Sequence, residues 1–299
     1  MTPVRFLAQD VLLKSAVWSL CKVHVHGREL LESVEAPFIV IANHSSHFDA
    51  PLVLGALPHR LSKHVATGAA ADYFFDKKLK GMTTSLFFNA YPIERKGRTH
   101  KGITARLLDA GIPLLIFPEG TRSRTGALST FKPGVAGLSI SRNVPCIPIA
   151  LVGAFAAWPR YRAMPPTNHP EIHVVIGHPL TAMPGEVPTA YADRMQRNIA
   201  ELYDTTARAY GMPTLDDYAR KAAIKRAADE EELARQSVEA EERALADLDQ
   251  VDKDAEPQAE ATPAQAALTD DLLTDGTPDD ETKHRRRHSS RPAKHRKKG

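Results

Sequence analysis

Apolar and polar positions divide the chain into short apolar runs and longer amphipathic stretches. Residues 3–20 set Val4, Phe6, Leu7, Val11, Leu12, Ala16, Trp18 and Leu20 against Arg5, Asp10 and Lys14, which predicts an amphipathic helix. A basic, Trp-containing helix of this kind suits a membrane interface, and equally the wall of a core. Val23 to His26 alternate before Gly27, as a strand does. Pro37 to Ala42 is a continuous apolar run, the pattern of a parallel strand covered on both faces. Ile112 to Phe117 repeats it, and Val144–Val152 and Ile172–Ile176 predict two further strands. Helices are expected over 50–57, with Asp49 as N-cap and Pro51 in the first turn, and near 99–110, 133–142 and 189–209. Strands alternating with helices predict an α/β fold, a mainly parallel central sheet flanked by helices.

Beyond about residue 213 the pattern changes. Residues 214–250, rich in Ala, Glu, Arg and Leu, predict one long exposed helix. Residues 251–281 are acidic with scattered Pro and Thr, a composition too poor in apolar groups to build a core. The organisation expected is a catalytic domain over 1–212, a helical extension over 213–250 and a disordered tail over 251–299, acidic and then basic. No signal peptide or spanning helix is expected, because every apolar run, Pro37–Ala42 among them, falls short of the ~20 residues that spanning takes.

Charge sharpens this division. Residues 1–228 hold 27 Lys+Arg against 17 Asp+Glu, residues 229–281 hold 3 against 19, and residues 282–299 hold 9 with no acid. The folded part is therefore basic, and its expected partners are anionic: phosphates, coenzymes or acidic lipid headgroups. The two cysteines, Cys21 and Cys146, have no metal-ligand or disulfide-framework spacing, which fits a reducing, cytosolic setting.

Candidate chemistry lies just after two of the apolar runs, where loops beyond the carboxyl ends of parallel strands hold ligands. The first segment is Asn43-His44-Ser45-Ser46-His47-Phe48-Asp49. A turn between His44 and Asp49 would let the carboxylate fix the imidazole tautomer, leaving the other nitrogen to take a proton from a hydroxyl. Taken alone, Asp49 could equally be a helix cap and His44 a turn residue. The second segment is Phe117-Pro118-Glu119-Gly120-Thr121-Arg122-Ser123. Gly120 allows close backbone approach, and Arg122 offers a fork of donors suited to phosphate. Taken alone, this segment could be a turn held by a Glu119–Arg122 pair.

Together, in this order, the two segments resemble the glycerolipid acyltransferase family, whose motifs read Asn-His-x-Ser-x-x-Asp and Phe-Pro-Glu-Gly-Thr-Arg-Ser. Within that family the segments resemble those of bacterial 1-acylglycerol-3-phosphate acyltransferases, and the resemblance covers about residues 20–210. Two weaker blocks of the family have counterparts in Asn89–Arg95 and Val144–Ile149. In the first, Glu94 and Pro92 replace the usual Asp and Phe while Arg95 is kept. The resemblance implies His44 as general base and Asp49 as its orienting partner. It implies substrate contacts from Arg95, Glu119, Gly120, Thr121 and Arg122, with the two arginines on the acceptor phosphate. Lys132 adds charge there by its spacing. The implied reaction moves a fatty acyl group from acyl-CoA or acyl-carrier protein to lysophosphatidic acid, giving phosphatidic acid in phospholipid biosynthesis. No metal or prosthetic group is implied.

Other readings compete at particular residues. Ser45 and Ser46 beside His44 raise a hydrolase nucleophile, but no Gly-x-Ser-x-Gly elbow surrounds them. His47 with His44 and one nearby Asp makes a thin metal-ligand set. Another acceptor, glycerol 3-phosphate or a glycolipid hydroxyl, would keep the fold and change the task. The basic tail could bind nucleic acid or acidic lipid, yet it has no aromatic residue except His to stack on bases, so no nucleic-acid partner is expected. The expected setting is cytoplasmic, peripheral on the inner face of the plasma membrane, in contact with a lysophospholipid.

Overall fold

The computed structural model describes residues 14–70, 90–93 and 101–254. Seven strands form one sheet: β1 (Lys22–His26), β2 (Ile39–Ala42), β3 (Ala66–Ala70), β4 (Ala90–Ile93), β5 (Leu114–Ile116), β6 (Cys146–Val152) and β7 (Glu171–Ile176). Their order is β1-β7-β6-β2-β5-β3-β4, and every neighbouring pair is parallel except β6 with β7. The helices are α1 (Lys14–Leu20), α2 (Asp49–Ala56), α3 (His59–Ser62), α4 (Lys101–Asp109), α5 (Gly134–Arg142), α6 (Ala154–Ala157), α7 (Pro188–Ala209) and α8 (Leu215–Asp254). The expected α/β architecture is the one observed.

The continuous apolar runs are explained by burial on both faces. In β2, Val40 and Ala42 enter one core with α2, while Ile39 and Ile41 enter the other with α5 and α7. β6 divides likewise, Ile147, Ile149 and Leu151 to the first core and Cys146, Ala150 and Val152 to the second. Both cysteines are buried free thiols, and burial pushes each up to about 11, so neither is a thiolate near neutral pH.

One expectation, the Asp49 cap, is corrected by the structure. Of the helix expected over 3–20, residues 1–13 lie outside the described residues, and α1 turns its apolar side inward. Val17 is buried, and the Trp18 ring lies so close to α2 that a Cβ on Gly55 would meet it at 2.6 Å. Asp49 does not cap its own helix; α2 begins at Asp49, and the carboxylate turns back toward the preceding loop. Strand β3 has no apolar run to announce it, since Ala-Thr-Gly-Ala-Ala carries little apolar bulk, and β4, Ala-Tyr-Pro-Ile, is only four residues long with a Pro among them.

Contacts divide the chain into two units, 1–239 and 240–299. Within the first, the opening turn of α8 joins the core, with Leu215 and Tyr218 buried and Tyr218 edge-on to Phe155 at 5.2 Å. From Arg226 to Ala246 the helix is exposed throughout. The tail beyond residue 254 is outside the described residues. Among the described residues no helix is long and apolar enough to cross a membrane.

Candidate active site

The site forms where β2 and β5 end side by side. Their register pairs Ile39 with Leu114, Val40 with Leu115 and Ile41 with Ile116, so Asn43 and Phe117 leave the sheet from the same edge. On the other flank, Asn43 extends the sheet with its side chain. Its amide nitrogen donates to the Leu151 carbonyl at 3.3 Å, and its oxygen accepts the Leu151 N–H at 2.7 Å. The amide thus imitates a peptide group and frees the backbone to turn at His44.

Asp49 lies five residues on and is fully buried. Its Oδ2 accepts from the backbone N–H of Ser45 at 2.6 Å and of Ser46 at 2.8 Å, and meets His44 Nδ1 at 2.7 Å. Two amide donors hold the carboxylate as an acceptor, so the proton between the side chains resides on Nδ1. Nε2 of His44 is then the basic nitrogen, on a side chain 23% exposed. The ring stacks on Phe117, centroids 4.0 Å apart and planes 16° apart. Ser46 is not aimed at His44; its hydroxyl donates to the Trp158 carbonyl at 2.8 Å and accepts the Phe48 N–H at 3.1 Å.

Glu119 joins the two segments. Its Oε1 accepts the His44 N–H at 2.6 Å and its Oε2 the Ser129 N–H at 3.0 Å, while the His44 carbonyl accepts the Ser123 N–H at 2.7 Å. Burial pushes this carboxyl up to about 7 although both amides favour its charged form. The Glu119–Arg122 pair considered from sequence is therefore replaced by a carboxylate that grips backbone. Gly120 takes φ +73°, and a Cβ there would meet Lys132 Nζ at 2.6 Å, which sets the Lys132 ammonium beside this loop. Thr121 is exposed.

Arg122 points its Nη1 at His47 Nδ1, 2.8 Å away. A guanidinium only donates, so Nδ1 accepts and the proton of His47 is on Nε2, within 3.3 Å of the Arg160 carbonyl. Burial, with the Arg122 charge second, holds His47 below its ordinary 6.5 and favours this neutral form. Arg160 returns the contact by donating to the Arg122 carbonyl at 3.4 Å. Sequence reasoning weighed His47 only as a metal ligand and did not single out Asn43 or the Trp158–Arg162 turn. Asn43 carried a usable signal, a lone amide at the end of a buried strand; the partners of His47 are 75 and 113 residues distant and had none. Arg95 lies outside the described residues.

This α/β fold is similar to that of a solved acyltransferase, and part of the chain matches an acyltransferase family model. Residues 22–152 match the family model described as Acyltransferase, a span holding both loops. The chloroplastic 1-acyl-sn-glycerol-3-phosphate acyltransferase BAT2 of Brassica napus is 29% identical over 192 residues, covering 62% of this chain and 52% of that protein. A 1-acyl-sn-glycerol-3-phosphate acyltransferase of Cocos nucifera is 30% identical over 152 residues, 45% of this chain and 47% of that protein. Among solved structures, the 1-acyl-sn-glycerophosphate (LPA) acyltransferase PlsC of Thermotoga maritima superposes with a TM-score of 0.51 at 25% identity, covering 64% of this chain and 76% of that one. The chain spans about half the length of the curated relatives it matches.

Proposed function

We propose that the protein transfers a fatty acyl group from a thioester, acyl-CoA or acyl-carrier protein, to the free hydroxyl of lysophosphatidic acid, forming phosphatidic acid. The observation that carries this reading is the Asp49–His44 pair, which leaves Nε2 of His44 basic one strand away from the Arg122 and Lys132 cations. The names borne by the relatives favour the same acceptor.

In this reaction His44 Nε2 takes the proton of the acceptor hydroxyl as that oxygen attacks the thioester carbonyl. The oxygen–carbon bond forms and the carbon–sulfur bond breaks. The imidazolium, stabilised by Asp49, returns its proton to the departing thiolate, so proton and charge balance without a covalent enzyme intermediate. Arg122, joined by Arg95 from the neighbouring block, binds the acceptor phosphate, and Lys132 adds to the positive field. Glu119 holds the backbone of His44 so that the ring keeps its place. Neither a metal nor a prosthetic group enters any step. The work is done at the cytoplasmic face of the membrane that contains the acceptor and receives the product.

The test is acyl transfer from oleoyl-CoA by the purified protein, with lysophosphatidic acid, glycerol 3-phosphate and a phosphate-free acceptor in parallel, and His44→Ala as control. Transfer that requires both His44 and the phosphate next to the accepting hydroxyl is the expected result. Turnover of the phosphate-free acceptor at the same rate would move the acceptor elsewhere, and turnover by His44→Ala would remove the mechanism.

A further inference from the structure

The turn from Trp158 to Met164 is fastened to the active site and carries largely exposed side chains, of which Tyr161 keeps an edge-on ring contact with Phe155 at 6.3 Å. Its backbone accepts from Ser46 Oγ at 2.8 Å and from the His47 N–H at 3.2 Å, both at the Trp158 carbonyl. Trp158 Nε1 donates to the Arg162 carbonyl at 2.9 Å, and the Arg162 N–H to the Pro159 carbonyl at 3.0 Å, so the turn is braced across its own width. On this frame Tyr161 is 70% exposed and Met164 72%, with Arg162 exposed between them.

One exposed apolar side chain is ordinary. Two large ones on one braced turn, interleaved with arginines, are the composition of a surface that meets water on one side and hydrocarbon on the other. We propose that the Trp158–Met164 turn seats the active site on an anionic bilayer, with Tyr161 and Met164 entering the acyl boundary and Arg160 and Arg162 meeting lipid phosphates. The inference rests on the reading that the acceptor is a membrane lipid, because a lysophospholipid with its acyl chain in the leaflet reaches His44 only if this edge of the sheet faces that leaflet. An acidic carrier protein would reward the arginines but not the two apolar tips. Arginine stems can also lie along the acyl boundary while their guanidinium groups remain at the phosphates.

The experiment compares the full chain with Tyr161→Ser/Met164→Ser and, separately, Arg162→Glu. Flotation is measured with phosphatidylcholine vesicles and with vesicles containing about one third phosphatidylglycerol, which supply the negative surface potential. Every protein keeps its charged tail, so differences report on the turn. The double variant should float with the anionic vesicles about tenfold less at equal lipid, melt at the wild-type temperature, and still acylate a short-chain, water-soluble lysophosphatidic acid at the wild-type rate. Arg162→Glu should weaken flotation with anionic vesicles and leave the neutral ones unchanged. Equal flotation of wild type and both variants would overturn the proposal. So would an equal loss on the soluble acceptor, which would make the turn part of the pocket, or a loss confined to acyl-carrier-protein donors with flotation intact, which would make it a protein-docking surface. Should wild type acylate no lysophosphatidic acid, the functional reading fails, while flotation still judges the surface.

Discussion

One oxygen of Asp49, Oδ2, accepts from the backbone of Ser45 and of Ser46 and also holds Nδ1 of His44. The carboxylate that orients the His44 ring is thereby the same group that folds the loop bearing it. Asp49→Asn is expected to lower turnover by roughly 10²–10⁴-fold, because an amide that donates toward Nδ1 imposes the wrong tautomer. It should also lower the thermal midpoint, since one atom cannot then serve both amides. Steady-state rates beside a melting curve check this; an unaltered rate would assign the pair a structural role only.

Arg122 is expected to act mainly on acceptor binding. Arg122→Ala should raise the acceptor KM at least tenfold while the donor KM stays within about twofold, the pattern of a lost phosphate contact. Arg122→Lys should recover only part, because an ammonium lacks the planar fork. A change confined to the donor KM would reassign this side chain.

The His47 contact predicts a pH dependence of binding. Neutral His47 accepts from Arg122, whereas protonated His47 cannot accept and repels it. Because burial holds the folded-state pKa below 6.5, the contact persists through neutral pH and is lost as pH falls below that value. The acceptor KM should therefore be flat above pH 6.5 and climb at lower pH. His47→Gln should flatten the acid limb. The stability contribution has the same sign: the unfolded chain binds more protons, so stability declines as pH falls below 6.5. An acceptor KM whose acid limb is unchanged in His47→Gln would sink this account.

Glu119 has the opposite sign. Its folded-state carboxyl stands at about 7 against 4.5 unfolded, so the folded state binds more protons between those values and stability declines as pH rises through that window. Glu119→Gln should remove this slope. It should also cost about 1–3 kcal/mol, since the amide offers an N–H where a backbone N–H now donates. Denaturant titrations at pH 5 and pH 8 read both effects, and equal slopes in the two proteins would reject the assignment.

The elements legible in sequence were those whose burial on two faces writes a continuous apolar run, as in Ile39–Ala42 and Cys146–Val152. β3 escaped notice because Ala and Gly leave no such trace, and its strand character comes from pairing with β4 and β5. In the site, the turn needed between His44 and Asp49 followed from their spacing, but the direction of the Asp49 carboxylate did not. A carboxyl at a helix start can cap that helix or reach backward, and the Ser45 and Ser46 amides make the backward direction the satisfied one. The His47–Arg122 contact was illegible because it depends on β2 and β5 being neighbours, a register set by the whole sheet.

That adjacency also bears on when the protein can first react. β2 is flanked by β5 and β6, and β5 lies between β2 and β3. His44 is synthesised early, yet the Phe117 ring it stacks on, the Glu119 carboxylate that grips its amide and the Leu151 peptide that anchors Asn43 all come from later chain. A nascent polypeptide on the ribosome therefore carries an unassembled histidine until Leu151, 108 residues beyond Asn43, has emerged. Over that interval His44 lacks the neighbours that fix its ring and its backbone.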